Sequence, residues 1–478
     1  MYTLMIIIFV VGYLAIALEH NIHIDKGASA LLTGILVWTV FVFGADSILG
    51  IDYSSSLADL FAGSEGYLKH FGEYLVGHEE EALASGSTVH EVASHFIGYE
   101  LSHHVVEIAE ILFFLLGAMT IVEVIDAHDG FAVITDKIKT ANKVKLLWVL
   151  SLITFFFSAA LDNLTTAIVM SALLKKLIKD KQDLWLFAGL VIVAANAGGA
   201  WSPIGDVTTI MLWIGGNITA SHIVTGIFLP SLIALFVPLG ILSFTLKGEV
   251  QRPEALEGDD VRITTDGERN LVFFLGVGSL LFVPVYKTVT HLPPFMGVMF
   301  GLGLMWAVTE ILHKKKSIKA KSRLSVVGVI RKVDTPSVMF FLGILLAVGA
   351  LSSAGQLLDV AKSLEVTFSG NIYAINIVIG LLSSVVDNVP LVAGAMGMYE
   401  VADFVPGLSY PADHPFWEFL AYCAGTGGSA LIIGSAAGVA VMGILKIDFM
   451  WYLKKISLLA LSGYLAGALF YYLENTLL

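Results

Sequence analysis

Two Asp-Asn pairs, Asp162-Asn163 and Asp387-Asn388, interrupt long apolar stretches of the chain. An ionised Asp near the centre of a bilayer costs roughly 2.5 to 3.5 kcal/mol. We therefore expect a bound cation or a proton to compensate the negative charge of these two Asp side chains. Asp and Asn also favour turns and helix N-termini, so a purely structural capping pair is the alternative.

Two further apolar stretches contain side chains that offer oxygen ligands. The stretch 184–215 contains Asn196, Asp206, Thr208 and Thr209, and the stretch 417–445 contains Thr426 and Ser429. Nearby glycines let the chain unwind, and unwound carbonyls with Asn, Thr and Ser oxygens are ligands suited to Na⁺. Some of these glycines, above all Gly205 and Gly434, are instead expected to allow close helix packing. Asp206 aligns with Ser435 in the second stretch, and we expect this unmatched acid to bind a second cation, carry a proton or face a water-filled vestibule.

The composition predicts an integral membrane protein in contact with the lipid bilayer. Of its 478 residues, 56% are hydrophobic and 14% are charged, against roughly 25% charged in soluble domains. The net charge of -13 argues against nucleic acid as a partner. A single cysteine, Cys423, excludes an intramolecular disulfide framework. The Walker phosphate-binding motif is absent from the sequence, so we expect neither ATP nor a cofactor.

Apolar windows of about 19 residues predict an all-α polytopic fold with ordinary spans near 3–18, 27–45, 105–125, 223–246, 271–286, 294–312, 336–355 and 456–473. A signal peptide is the alternative for residues 1–18, since Ala15-Ile16-Ala17 offers an A-x-A cleavage site, but Met1-Tyr2-Thr3 lacks the basic region that a signal peptide needs. We divide the chain into N-terminal membrane helices (1–45), an acidic His-rich extracytoplasmic loop (46–104), a first repeat (105–246), linker loops with a scaffold helix pair (247–335) and a second repeat (336–478).

The distribution of Lys and Arg predicts the orientation, because both are retained on the cytoplasmic side. Lysines flank both ends of the stretch 146–178, so we expect it to be a re-entrant hairpin with arms 146–161 and 164–174. This topology leaves only Lys69, Lys287 and Lys362 of the 27 Lys and Arg outside. It predicts a multi-pass protein with an extracytoplasmic C-terminus. We expect the membrane to be a bacterial inner membrane.

The chain repeats itself with a displacement of 225 to 229 residues. The matching elements occur in the same order: Phe113-Phe114 with Phe340-Phe341, Asp162-Asn163 with Asp387-Asn388, Gly198-Gly199 with Gly427-Gly428, and Gly205 with Gly434. The first hairpin is expected to enter from inside and the second, 372–402, from outside, so the repeats are expected to be inverted. Secondary transporters build a central site from inverted repeats with interrupted helices.

Three sequence strings resemble the NhaD-type sodium/proton antiporters, which belong to the ion transporter superfamily that also includes dicarboxylate and arsenite carriers. The strings are Leu161-Asp162-Asn163-Leu164-Thr165-Thr166, the residues from Asn196 to Thr209, and Val386-Asp387-Asn388-Val389-Pro390. The resemblance covers about 105–475. It implies a scaffold domain, a transport domain that holds both hairpins, a homodimer and an elevator-like movement.

We expect a secondary active transporter, not an enzyme, that exchanges Na⁺ or Li⁺ for H⁺. The cation and the proton would compete for the hairpin-tip carboxylates, with Na⁺ held by Asp162, Asn163, Asp387 and Asn388. Asp206, Asn196, Thr208, Thr209, Thr426 and Ser429 would complete the site. Glu107 is a candidate for the ion pathway.

Two other functions compete with this prediction. A carrier of a dicarboxylate or oxyanion, coupled to Na⁺ or H⁺, is less compatible with bare Asp residues at both tips and with the absence of Lys and Arg there. An intramembrane aspartyl protease also needs two membrane acids, but Ile204-Gly205-Asp206 lacks the first glycine of the G-x-G-D pattern. The segment 46–104, with ten acidic residues and six histidines (His70, His78, His90, His95, His103 and His104), is either a solvated loop or a cation-collecting or pH-sensing surface.

Overall fold

A computed structural model describes residues 1–17, 19–64, 67–135, 137–253, 264–384 and 388–477. The first half contains helices α1 (Tyr2–Ala17), α2 (Glu19–Ile22), α3 (Lys26–Phe43), α4 (Ala45–Leu49), α5 (Leu57–Ala62), α6 (Lys69–Ser85), α7 (Val89–Ala127), α8 (Ala132–Thr135), α9 (Lys143–Leu161), α10 (Asn163–Leu177), α11 (Lys181–Ala200), α12 (Val207–Ile214) and α13 (Ala220–Thr245).

The second half contains helices α14 (Asp266–Thr290), α15 (Pro294–Leu312), α16 (Ile318–Leu324), α17 (Val326–Val329), α18 (Thr335–Ser353), α19 (Gln356–Phe368), α20 (Ile372–Leu382), α21 (Asn388–Met398), α22 (Pro415–Gly427), α23 (Ala436–Leu445), α24 (Phe449–Lys455) and α25 (Ser457–Leu477). Short 3₁₀ turns occupy His313–Lys315, Ile330–Lys332 and Gly428–Ala430. Two short parallel strands, β1 (Glu400–Val401) and β2 (Ser409–Tyr410), pair Glu400 with Ser409.

The predicted all-α polytopic membrane fold is confirmed. Within the described residues, eight helices are long and apolar enough to cross a membrane: α3, α7, α9, α11, α13, α14, α15 and α18. The number rises to ten if each of two helix pairs bent by 117°, α19 with α20 and α23 with α24, counts as one span. Helix α1, expected as a span, has 16 residues, about 24 Å at 1.5 Å per residue. The segment 46–104, expected as a loop, is largely helical and contains α5 and α6.

The chain forms two compact units, each discontinuous in sequence. Unit 1 comprises Met1–Leu112, Thr335–Gly370 and Ala393–Tyr410. Unit 2 comprises Phe113–Asp334, Asn371–Val392 and Pro411–Leu478. All the close polar contacts of the candidate transport site described below lie within unit 2.

The interruptions expected from the sequence coincide with helix ends. Helix α9 ends at Leu161 and α10 begins at Asn163, so Asp162 alone separates them. Helix α11 ends at Ala200, and α12 begins at Val207 after a break that includes Pro203. The polar side chains at these breaks therefore lie next to unwound backbone.

The two sequence repeats make matching backbone contacts. The Ser158 hydroxyl donates to the Ala195 carbonyl, and its counterpart Ser383 donates to the Ala424 carbonyl. A Cβ atom on Gly198 would lie 2.2 Å from the Phe155 carbonyl oxygen, and one on Gly427 would lie 2.1 Å from that of Gly380. In both repeats a side chain larger than hydrogen would separate the hairpin from the broken helix.

Candidate cation and proton site

The Asp206 carboxylate is the centre of a buried polar cluster in unit 2. Asp206 is the N-cap of α12 and is 1% exposed. Its Oδ1 atom accepts hydrogen bonds from the backbone N–H and the hydroxyl of Thr208, each at 3.0 Å. Thr209 completes a capping box with the Asp206 backbone. The capping preference of Asp therefore fixes an acid at the break in the helix.

The hairpin-tip amides contact this acid from both repeats. Asn163 Nδ2 donates to Asp206 Oδ2 at 2.5 Å. Asn388 Nδ2 lies 3.3 Å from both Asp206 oxygens. Asn163 and Asn388 each begin a helix, α10 and α21, directly after the hairpin tip. Residues of both hairpins therefore reach one carboxylate.

Asn196 extends the cluster toward the second broken helix. Its Oδ1 atom accepts from Asn163 Nδ2 at 3.2 Å, and its Nδ2 donates to the hydroxyls of Ser429 and Ser435 at 2.9 Å each. Asn196 is fully buried, and a buried amide needs partners of this kind to avoid a cost of about 1 to 3 kcal/mol.

Asp162 occupies a strained position at the tip of the first hairpin. Its φ of 83° and ψ of 159° fall in a region that is almost restricted to glycine and costs about 1 to 3 kcal/mol for other residues. One carboxylate oxygen accepts from the Thr165 N–H and the other from the Thr165 hydroxyl, at 2.7 Å each. Asp162 thus makes the capping contacts of the structural alternative.

The remaining predicted residues differ in their placement. Thr208 and Thr209 lie at the centre of the site, whereas the Thr426 hydroxyl donates to the Tyr422 carbonyl within its own helix. Asp387 lies outside the described residues. Glu107 lies on the part of α7 that belongs to unit 1, with its side chain 58% exposed.

Two residues that were not among the predicted ligands belong to this region. Ser435 is the N-cap of α23 with φ of -147° and ψ of 151°, nearly the same as the -148° and 149° of Asp206. Its alignment with Asp206 in the repeat was the signal that could have identified it. The Thr166 hydroxyl in the first turn of α10 is buried and has no hydrogen-bond partner in the described part of the chain. It is therefore available to bind a ligand.

This arrangement can hold one small cation or one proton. Burial disfavours the ionised carboxylate unless a positive charge accompanies it. The amides of Asn163 and Asn388 each carry donors and an acceptor, so they can donate to Asp206 or, after rotation, turn an oxygen toward a neighbouring cation. The Thr and Ser hydroxyls add further oxygen ligands.

Comparisons with known proteins show that the chain is similar to several membrane transporters. The family model described as Citrate transporter matches residues 5–417. Sodium/proton antiporter 1 of Arabidopsis thaliana is 42% identical over 97% of this chain and 71% of its own length, and Sodium/proton antiporter 2 of the same plant is 39% identical over 98% of both. The Na(+)/H(+) antiporter NhaD of Vibrio cholerae is 30% identical over 98% of this chain and 91% of its own length. The chain therefore belongs to this family of membrane transporters and, within it, to the NhaD-type antiporters.

Proposed function

We propose that the chain exchanges Na⁺, or Li⁺, for H⁺ across the membrane. The observation that carries the proposal is the Asp206 carboxylate, buried and contacted by Asn163 and Asn388 at 2.5 and 3.3 Å. A carboxylate in this environment needs one compensating charge, which a metal cation or a proton can supply. Because both compete for the same oxygens, binding of one favours release of the other. The relatives named sodium/proton antiporters support this pair of ions.

We assign each site residue a role in the exchange. Asp206 and the hairpin acids Asp162 and Asp387 exchange the proton, and Asn163, Asn388 and Asn196 provide amide oxygens. Thr208, Thr209 and Ser429 complete the oxygen shell, together with carbonyls of the unwound segment 201–206. Such oxygen atoms replace the waters that Na⁺ sheds on binding.

The proposal includes alternating access through a pair of inverted repeats. The matched contacts of Ser158 and Ser383, and the matched backbone angles of Asp206 and Ser435, support two equivalent halves around one site. A homodimer with elevator-like movement, a bacterial inner membrane and an extracytoplasmic C-terminus belong to the same proposal.

The test is Na⁺-dependent dequenching of a pH-sensitive dye in everted membrane vesicles. We expect Asp206→Asn, Asp162→Asn and Asp387→Asn each to abolish exchange, because a neutral amide cannot alternate between a proton and Na⁺. Asp180→Asn is the matched control, since Asp180 is also a helix N-cap but is exposed. Exchange retained in all three site variants would refute the mechanism.

An anion carrier is the second candidate, since the matching family model is named for citrate transport. Lys and Arg are absent from the four stretches that carry the predicted site, 146–174, 184–215, 372–402 and 417–445. A bound anion would therefore lie near the carboxylates of the site with no Lys or Arg side chain to compensate its negative charge. Labelled citrate, succinate or arsenite uptake by the same vesicles separates the two functions. Uptake that depends on Asp206 would favour the carrier.

A further inference from the structure

Helix α7 is longer than a membrane crossing requires. Its 39 residues measure about 58 Å at 1.5 Å per residue, against roughly 30 Å of hydrocarbon. The apolar stretch begins near residue 105, so the preceding polar turns extend beyond the lipid core. His103, His104 and Glu107 lie at this boundary. The side chains of His103 and Glu107 are 60% and 58% exposed, which leaves them open to water.

These three side chains converge on one point. Glu107 Oε1 lies 3.8 Å from His103 Nδ1, and Glu107 Oε2 lies 3.6 Å from His104 Nδ1. One ligand atom from each residue lies within 4.8 Å of the other two. Ligand atoms of a tetrahedral zinc ion are about 3.3 Å apart, given metal–ligand distances near 2.0 to 2.1 Å. Small side-chain rotations would therefore bring these atoms to coordination distance.

A hydrogen-bond chain fixes the tautomer of His104. Ser353 donates its single hydroxyl proton to Glu100 Oε2 at 2.7 Å. The Ser353 oxygen lies 3.1 Å from His104 Nε2, so it can only accept there and Nε2 must carry a proton. In the neutral ring, Nδ1 is then a bare lone pair that faces the Glu107 carboxylate. Two electron-rich atoms in this arrangement repel each other unless a positive charge lies between them.

The His104 ring is also held in place by its neighbours in unit 1. It packs against Gly349, where an added Cβ atom would lie 2.9 Å from the ring. The Trp38 ring lies 6.2 Å away, between centroids. With its side chain only 20% exposed, His104 is oriented before any ligand binds. A histidine whose second nitrogen is hydrogen-bonded in this way has the outer-shell support that is typical of metal ligands.

We propose that His103, His104 and Glu107 bind a divalent transition-metal ion of the Zn²⁺ class. Two imidazole nitrogens and a carboxylate oxygen form a three-ligand set that leaves a fourth position for water. Glu100 and Ser353 support the site without contacting the ion. All five residues lie in unit 1, and the proposal does not depend on Na⁺/H⁺ exchange at Asp206.

The experiment measures metal binding by the full chain, purified in detergent without a polyhistidine tag. Calorimetric titration with ZnCl₂ gives the affinity, and the visible absorption of bound Co²⁺ reports tetrahedral coordination. We expect saturable binding that His104→Ala and Glu107→Gln each weaken by about tenfold or more. Ser353→Ala keeps all three ligands and should weaken binding by about tenfold, as loss of an outer-shell partner does.

His90→Ala is the matched control, because His90 is an exposed histidine on the same helix. Its Zn²⁺ affinity should equal that of the original chain. Thermal unfolding without metal shows whether each variant is folded. If a variant of a metal ligand does not fold, the Zn²⁺ affinity of Ser353→Ala tests the proposal instead. Absence of saturable Zn²⁺ binding would mean that only a proton bridges His104 and Glu107, and an equal loss in His90→Ala would mean nonspecific binding. Either result overturns the proposal.

Discussion

Asn196 and Ser435 are 239 positions apart, yet the Asn196 amide donates to the Ser435 hydroxyl at 2.9 Å. Asn196 lies in the first broken helix, and Ser435 caps the continuation of the second. This contact joins the two sequence repeats directly, as does the contact of Asn388 with Asp206. Neither repeat can therefore form the polar cluster alone.

Replacement of Asn196 by Ala should weaken cation binding. It would remove one acceptor of the Asn163 amide and the amide that donates to the Ser429 and Ser435 hydroxyls, and the loss of such buried hydrogen bonds costs about 1 to 3 kcal/mol. We expect the Na⁺ concentration for half-maximal exchange to rise by about tenfold. Asn376→Ala is the matched control, because Asn376 is fully buried in the same unit but donates to the Phe416 carbonyl. If both variants shift the Na⁺ dependence equally, Asn196 has no specific role.

Much of the architecture could be predicted from local sequence. Asp162 and Asp206 are strong helix-capping residues within apolar runs, and they stand where α10 and α12 begin. The residues that interrupt these helices lie at the interruptions themselves, so a short sequence window is enough to predict them. The similar spacing in sequence between the two Asp-Asn pairs and between the two Gly-Gly pairs likewise indicates which helices of the two sequence repeats correspond.

The choice of central acid could not be predicted in the same way. The sequence favoured Asp162 and Asp387 because they stand in symmetric places, but Asp206 makes the described contacts with both hairpin amides. That contact depends on how α12 and the two hairpins pack, and residues 182 positions apart carry no local signal of their proximity. The hydrogen bond between His104 and Ser353, which are 249 positions apart, could not be predicted for the same reason.

Alanine at Gly198 or Gly427 should destabilise the fold. The new Cβ atom would lie 2.2 or 2.1 Å from a backbone carbonyl oxygen of the adjacent hairpin, and backbone cannot move away as a flexible side chain can. Overpacking of this kind costs about 1 to 3 kcal/mol. Thermal unfolding in detergent should show a lower midpoint for both variants. Gly443→Ala, also within a helix but with no atom within 4 Å of its added Cβ, should unfold like the original chain; an equal drop there would contradict the packing argument.

A buried pair of histidines should make stability depend on pH. His128 Nδ1 donates to the Val124 carbonyl at 2.7 Å, so its Nε2 must accept from His313 Nε2, at 2.9 Å. Burial lowers the pKa of His128 to about 4, and the pKa of His313 is also lowered. A second proton on His128 would place two donors face to face.

The sign of the effect follows from the depressed pKa. In the unfolded chain His128 takes up a proton below about pH 6.5, whereas in the folded chain it does so only below about pH 4. The free energy of unfolding therefore falls as the pH falls from about 6.5 to about 4. The loss reaches up to about 3 kcal/mol. We expect the unfolding midpoint of His128→Phe to depend less steeply on pH. His291→Asn, at an exposed left-handed position that Asn tolerates, should keep the original dependence. An unchanged slope in His128→Phe would assign the acid sensitivity to other groups.

Exchange of the two N-cap residues tests whether the repeats are functionally equivalent. Asp206 and Ser435 have nearly the same backbone angles and each caps the second part of a broken helix. Asp and Ser are comparable N-caps, so the double variant Asp206→Ser with Ser435→Asp should fold. The Ser435 hydroxyl already contacts Asn196 at 2.9 Å, and a carboxylate there would reach the same cluster. We therefore expect Asp206→Ser alone to abolish Na⁺-dependent exchange and the double variant to recover a measurable part of it. A folded double variant with no recovery would show that the acid must stand in the first repeat, where Asn163 and Asn388 both reach it.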